Sequence, residues 1–168
     1  MKKKFQTLFF VKSSLITLYL ALTLPIPFIS IEALKIISIV LFMVGLVLIV
    51  NITSDYVEIS NEKIFYKTTS LSNLIGKKSW EIFWKDIKLI KSFPTSQGSK
   101  VYYFITTRNE SYLMPQRIEN FEKFLSIVEN KTKCNIKGIS YISPIWTYKL
   151  LTYLSIFMIL GEIFAFIV

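Results

Sequence analysis

The sequence predicts a membrane α + β protein: an N-terminal transmembrane helical hairpin, an antiparallel β domain capped by one helix, and a C-terminal transmembrane helix. Three observations carry this. The chain of 168 residues is 52% hydrophobic and only 18% charged, against about 25% charged in ordinary soluble domains. Its apolar residues gather in three stretches close to the ~20 residues a helix needs to cross a bilayer core. Between the second and third lie short alternating runs bounded by turn residues, then one run with helical periodicity.

The first stretch runs from about Leu8 to Leu24 and has no charge after Lys12, and the second runs from about Ala33 to Ile52 with none after Lys35. Pro25 and Pro27 remove two backbone donors between them, so residues 1–52 read as a hairpin turning near residues 25–33. A secretory signal peptide is the alternative for the first stretch. It would use Lys2, Lys3 and Lys4 as its basic start, but Tyr19 and Leu20 precede Ala21 where a small-x-small cleavage site is needed. The third stretch occupies about 145–168, after a linker that begins near residue 138.

Charge sets the expected orientation. Residues 1–12 carry four lysines and no acid, and residues 51–143 carry fourteen Lys/Arg against nine Asp/Glu. Basic flanks stay on the cytoplasmic side, so the N-terminus and the middle domain are expected there, in a plasma or thylakoid membrane. Trp146, Tyr148 and Lys149 suit the inner interface. Glu162 falls about 20 Å further along a helix, which reads either as the outer interface or as an intramembrane proton-relay carboxylate.

The middle domain, residues 53–137, reads as about six strands and a helix. Tyr56–Ser60 and Ile64–Thr68 flank an Asn61-Glu62-Lys63 turn. Residues 69–79 form a polar loop. Strands follow at Trp80–Trp84, Lys88–Phe93, Val101–Thr107 and Ser111–Met114, with a loop from Pro94 to Lys100 and a turn at Arg108-Asn109-Glu110. After Pro115, the residues Ile118, Phe121, Phe124, Leu125 and Val128 recur at helical spacing, and Lys131 and Lys133 lie where a helix C-terminus favours cations.

Chemistry-bearing groups are sparse. There is no histidine, and Cys134 is the single cysteine, so a histidine base, a disulfide and a cysteine zinc cluster are all excluded. The five glycines form no phosphate-binding loop. Asp55 with Glu58, and Glu119 with Glu122, are spaced as pairs; a solvated face explains them more simply than a cation site. No enzyme activity, cofactor, metal or small-molecule substrate is therefore expected. The candidate binding residues are Lys77 and Lys78, with Lys100 and Arg117; Lys85, Lys88 and Lys91 are nearby in sequence. They could hold anionic lipid head groups or a partner, or serve only orientation and solubility. Nucleic acid is not expected, because the aromatic residues occupy strand faces that a small sheet must bury. Among Trp80, Trp84, Tyr102, Tyr103 and Phe104, any that point outward would form a protein-binding surface.

The strand order, Trp84-Lys85-Asp86-Ile87 opening a strand, and Met114-Pro115 leading into a helix resemble bacterial pleckstrin-homology-like domains tethered to membrane hairpins. Ser96-Gln97-Gly98, Val101-Tyr102-Tyr103-Phe104, Tyr112-Leu113-Met114-Pro115, Gln116-Arg117 with Phe121, and Pro144-Ile145-Trp146-Thr147-Tyr148 resemble a family of small cyanobacterial membrane proteins. Cys134-Asn135-Ile136 departs from its expected threonine-glycine-isoleucine turn. The hairpin-plus-domain architecture, Asp86-Ile87 and Pro115 are also similar to the photosystem I assembly proteins of plastids and cyanobacteria, which lack the third span. These resemblances imply a non-enzymatic module that contacts a membrane-protein complex or anionic lipids. A transport accessory or channel-like subunit is the alternative.

Overall fold

The structure, a computed structural model, describes residues 2–74 and 76–167. Val168, read above as the end of the third stretch, lies outside them, as do Met1 and Ile75. In chain order the elements are β1 (Lys3–Gln6), α1 (Phe9–Thr23), α2 (Ile26–Ile29), α3 (Glu32–Ile52), β2 (Tyr56–Ile59), β3 (Lys63–Lys67), α4 (Ser70–Leu74), β4 (Trp80–Phe83), β5 (Ile87–Pro94), β6 (Lys100–Thr106), β7 (Ser111–Leu113), α5 (Phe121–Thr132) and α6 (Ile145–Ile167). A single 3-10 turn, Trp84–Asp86, joins β4 to β5. Two compact units result. One combines the chain up to Leu8 with Ser54–Ser143, and the other combines Phe9–Thr53 with Pro144 onward.

The β unit has two antiparallel sheets, of order β1-β2-β3-β4 and β5-β6-β7. Strand β1 was not foreseen. Lys2, Lys3 and Lys4 read as the basic flank of a hairpin segment, yet Lys3 pairs with Ile59 and Phe5 with Val57. The helical hairpin is thus an insertion between two neighbouring strands. The far edge of β1 is also covered: Leu8 N–H donates to the Arg117 carbonyl at 2.8 Å, and Glu119 N–H to the Gln6 carbonyl at 2.9 Å. Neither edge of this short strand is left open for mispairing.

That pairing moves the helix start. Ile118 bridges Thr7 in extended conformation and is buried there, instead of opening the helix. Asn120 takes left-handed backbone angles, φ 52°, a conformation asparagine tolerates, and α5 begins at Phe121. Arg117 is therefore not at a helix start. Within the loop read at 69–79, Ser70–Leu74 forms the short helix α4. The side chains of Phe121, Phe124, Leu125 and Val128 line the buried face of α5, and they pack with Phe5, Val57, Ile64 and Phe104 in one core.

The helical unit holds three helices long and apolar enough to cross a membrane: Phe9–Ile29, Glu32–Ile52 and Ile145–Ile167. The prolines interrupt the helix after Thr23 but do not hold the chain in a turn from 25 on, as read above: they open α2, and the apolar helical stretch extends to Ile29. Pro25 caps α2 and Pro27 sits in its first turn, positions where a missing N–H costs nothing. Buried Ser14, Thr152 and Ser155 return their hydroxyls to carbonyls of their own helices at 3.1, 2.8 and 2.8 Å. The Lys149 ammonium lies 5.1 Å from the Phe10 ring, and the Phe28 and Phe166 rings lie tilted to each other at 5.3 Å, so α6 runs parallel to α1.

Between α1 and α3, the Tyr19 hydroxyl donates to the Phe42 carbonyl at 2.7 Å. Gly45 makes room for it, since a Cβ there would lie 2.8 Å from Tyr19 Cζ. Gly45→Ala is expected to displace the ring and to destabilise the helical unit by about 1 kcal/mol, the scale of an interhelical hydrogen bond in a bilayer. A double-mutant cycle with Tyr19→Phe checks this. The cost of Gly45→Ala shrinks once the hydroxyl is gone; equal costs in both backgrounds would contradict the packing.

Candidate functional site

The candidate binding lysines lead to a polar cluster built on Asp55. This residue lies immediately before β2, and its side chain is 5% exposed. A carboxylate so buried must be met by donors, and four converge on it. The Ser72 hydroxyl donates to Oδ1 at 2.9 Å and Thr69 N–H to the same oxygen at 3.3 Å. The Tyr66 hydroxyl donates to Oδ2 at 3.1 Å, and the Lys77 ammonium reaches Oδ2 at 2.9 Å. The Asp55 carbonyl accepts the Thr7 hydroxyl at 2.8 Å. One residue thereby ties the N-terminal segment, β3, α4 and the loop before β4 together.

The four residues singled out in the sequence have different settings. Lys77 is committed to Asp55. Lys78 is exposed in the same loop, Lys100 is exposed at the start of β6, and Arg117 is exposed beside Ile118. Arg117 nevertheless lies close enough to Tyr66 for its charge to favour the phenolate. Asp55 and Glu58, noted from their spacing, are placed differently: Asp55 is buried and Glu58 is not. Glu58 points to the outer face of its sheet, where Lys67 and Lys2 approach it at 3.4 and 3.6 Å and hold its carboxyl below the usual range.

Tyr66 offers a titration test. Burial, then the Asp55 charge and the bond to it, pushes its hydroxyl well above the ordinary tyrosine range. The folded state then keeps this proton at a pH where the unfolded chain has released it. Stability is intact below about pH 10 and falls as pH rises beyond it. Tyr66→Phe is expected to lose about 1 kcal/mol at neutral pH and to flatten this alkaline decline. Urea unfolding from pH 7 to 11 measures both.

The second feature is the outer face of the three-stranded sheet. Ladder partners put Leu89 beside Ile105 and Ser111, Lys91 beside Tyr103 and Leu113, and Phe93 beside Val101 on one face. The opposite face, with Tyr102 and Phe104, is buried. On the outer side Leu89 is 40%, Phe93 41% and Leu113 49% exposed. The four-stranded sheet handles its outer face differently. There Glu58 pairs with Lys67 and Lys2, and Lys63 with Glu81 at 3.3 Å, while Lys63 also covers Phe65 at 4.6 Å. Phe83, 38% exposed, also lies on that charged face, with the Lys63 ammonium 5.4 Å from its ring; the outer face of β5–β7 has Leu89, Phe93 and Leu113 where the other has ion pairs.

The aspartate cluster was not named from sequence; of the aromatics to be watched for pointing outward, Tyr103 lies on this face and Tyr102 and Phe104 do not. Continuous apolar character in Val101–Ile105 was the available signal for the face, because a strand apolar on both sides needs covering on both. The donors to the Asp55 carboxylate are a strand tyrosine, a serine hydroxyl, a backbone N–H and Lys77; of these only Lys77 was singled out from sequence.

No family model matches the chain, and no solved structure matches it. It is 30% identical over 147 residues to the uncharacterised protein slr0269 of Synechocystis sp. (strain ATCC 27184 / PCC 6803 / Kazusa), an alignment covering 84% of this chain and 74% of the relative.

Proposed function

We propose that this chain, which belongs to the family of the Synechocystis protein slr0269, is a non-enzymatic membrane protein that presents its β unit for interaction. The observation that carries the reading is the apolar outer face of β5–β7, in a unit whose buried polar groups serve its own fold. The three long apolar helices act as bilayer spans in this reading. The basic N-terminus and β unit lie on the cytoplasmic side. A four-plus-three set of antiparallel strands followed by one amphipathic helix supports a pleckstrin-homology-like fold for the β unit. The cyanobacterial relative and the resemblance to photosystem I assembly proteins favour an assembly or stability factor for a photosynthetic membrane complex.

The test is the company the chain keeps. Extraction in mild detergent after cross-linking through a cysteine placed at Ser111 should recover it with a membrane-protein complex or with lipid. A lone, unprotected monomer overturns the reading.

One observation favours a transport accessory or channel-like subunit instead. Glu162 Oε2, on α6, is buried and has no hydrogen-bond partner among the described residues, an expensive placement for a carboxyl in an apolar helix. Glu162→Gln should impair a transport role and leave an interaction role intact.

A further inference from the structure

We infer that the outer face of β5–β7 docks on an anionic bilayer surface; this rests on the interaction reading above and names the partner. Three features converge. The first is the apolar face itself: Leu89 and Phe93 on β5 and Leu113 on β7 are exposed side chains on the two outer strands, and Tyr103 on the central β6 is only partly covered.

The second is charge complementarity. From Ile87 to Leu113 the chain has four cations, Lys88, Lys91, Lys100 and Arg108, against the single acid Glu110. Glu110 is itself engaged, accepting the Tyr112 hydroxyl at 3.1 Å. Lys91 sits on the face, with its ammonium 5.1 Å from the Phe93 ring. Its long stem lets carbon lie at the acyl boundary while the charge reaches the head groups. A second copy of the chain would bring Lys91 and its neighbours against their own kind, which disfavours self-association through this face.

The third is covalent connection. The β unit joins the helical unit at Leu8–Phe9, Thr53–Ser54 and Ser143–Pro144. With the long helices inserted, a lipid surface is always within tether reach, so even weak contacts act at high effective concentration. Apolar side chains at the interface and cations against anionic lipid then add, as they do for surface-lying amphipathic segments.

The experiment uses the full chain in nanodiscs. Ser111 shares the face with Leu89 and Ile105, so Ser111→Cys, in a Cys134→Ser background, carries an environment-sensitive fluorophore. In discs of phosphatidylcholine with phosphatidylglycerol, the emission should shift to the blue and be quenched by lipids spin-labelled near the head group. In pure phosphatidylcholine both effects should weaken. Salt near 1 M, where the Debye length is about 3 Å, should weaken them too, and Phe93→Asp with Leu113→Asp should abolish them. A label equally wet and unquenched in both discs overturns the lipid assignment. If the same cysteine is then shielded by a protein in source membranes, the interaction reading survives without the lipid. If nothing shields it there either, both fall.

Discussion

Phe5→Ala will cost the β unit about 3–4 kcal/mol, the usual penalty for emptying a buried phenylalanine site. The ring is 5% exposed and meets Phe124 edge-on at 5.8 Å. It is held there by a strand of four residues, so little local structure can relax into the void. The loss has a second component. Without its apolar anchor β1 keeps only its ladder bonds, and short strands are marginal without a hydrophobic face. Urea unfolding of the full chain in detergent, followed through Trp80 and Trp84 in a Trp146→Phe background, gives the number. Gln6→Ala, one residue along on an exposed position, is the control and should stay within about 0.5 kcal/mol. Equal effects at the two positions would mean that β1 is not docked, and the hairpin would then precede the β unit rather than interrupt it.

This strand also marks where sequence reading stops. The three apolar helices were legible because length and composition alone decide whether a helix can cross a bilayer, and the strands from Tyr56 to Met114 were legible because turn chemistry and β-branched runs are local signals. A Lys3-Lys4-Phe5-Gln6 strand is not local. Its partner lies beyond the whole hairpin, and its lysines carry the same pattern that marks a membrane flank. Ile118 was misplaced for the same reason. It sits at helical spacing from Phe121 and Leu125, but its backbone is claimed by Thr7, a pairing no window around residue 118 contains. The apolar outer face was half visible. Val101–Ile105 announced a strand apolar on both sides, and only the register shows that one of those sides is just partly covered by the described side chains of the β unit.

The Asp55 cluster was the least legible feature, and its removal should have an effect nearly as large as that of Phe5→Ala. Asp55→Ala leaves the Tyr66 and Ser72 hydroxyls and the Thr69 N–H without their acceptor. Ser72 is fully buried and has little access to water. Each such group costs about 1–3 kcal/mol when orphaned, and the loss of Lys77's buried counterion adds to that. Because the Lys77 side chain is 41% exposed, it can turn to solvent, which lowers its share. The expected total is about 3 kcal/mol. Asp55→Asn should still cost about 2 kcal/mol, because donors approach both oxygens and an amide offers only one acceptor. Lys77→Met should cost less than either, since three donors remain on the carboxylate. The loss should be local before it is global. The loop from Thr68 to Ser79 meets the residue before β2 through the Asp55 bonds to Thr69, Ser72 and Lys77, so limited trypsin digestion should cut at Lys77 and Lys78 in Asp55→Ala well before the core opens. If the variant resists trypsin there as the parent does, the loop is held by other contacts and Asp55 is not its latch.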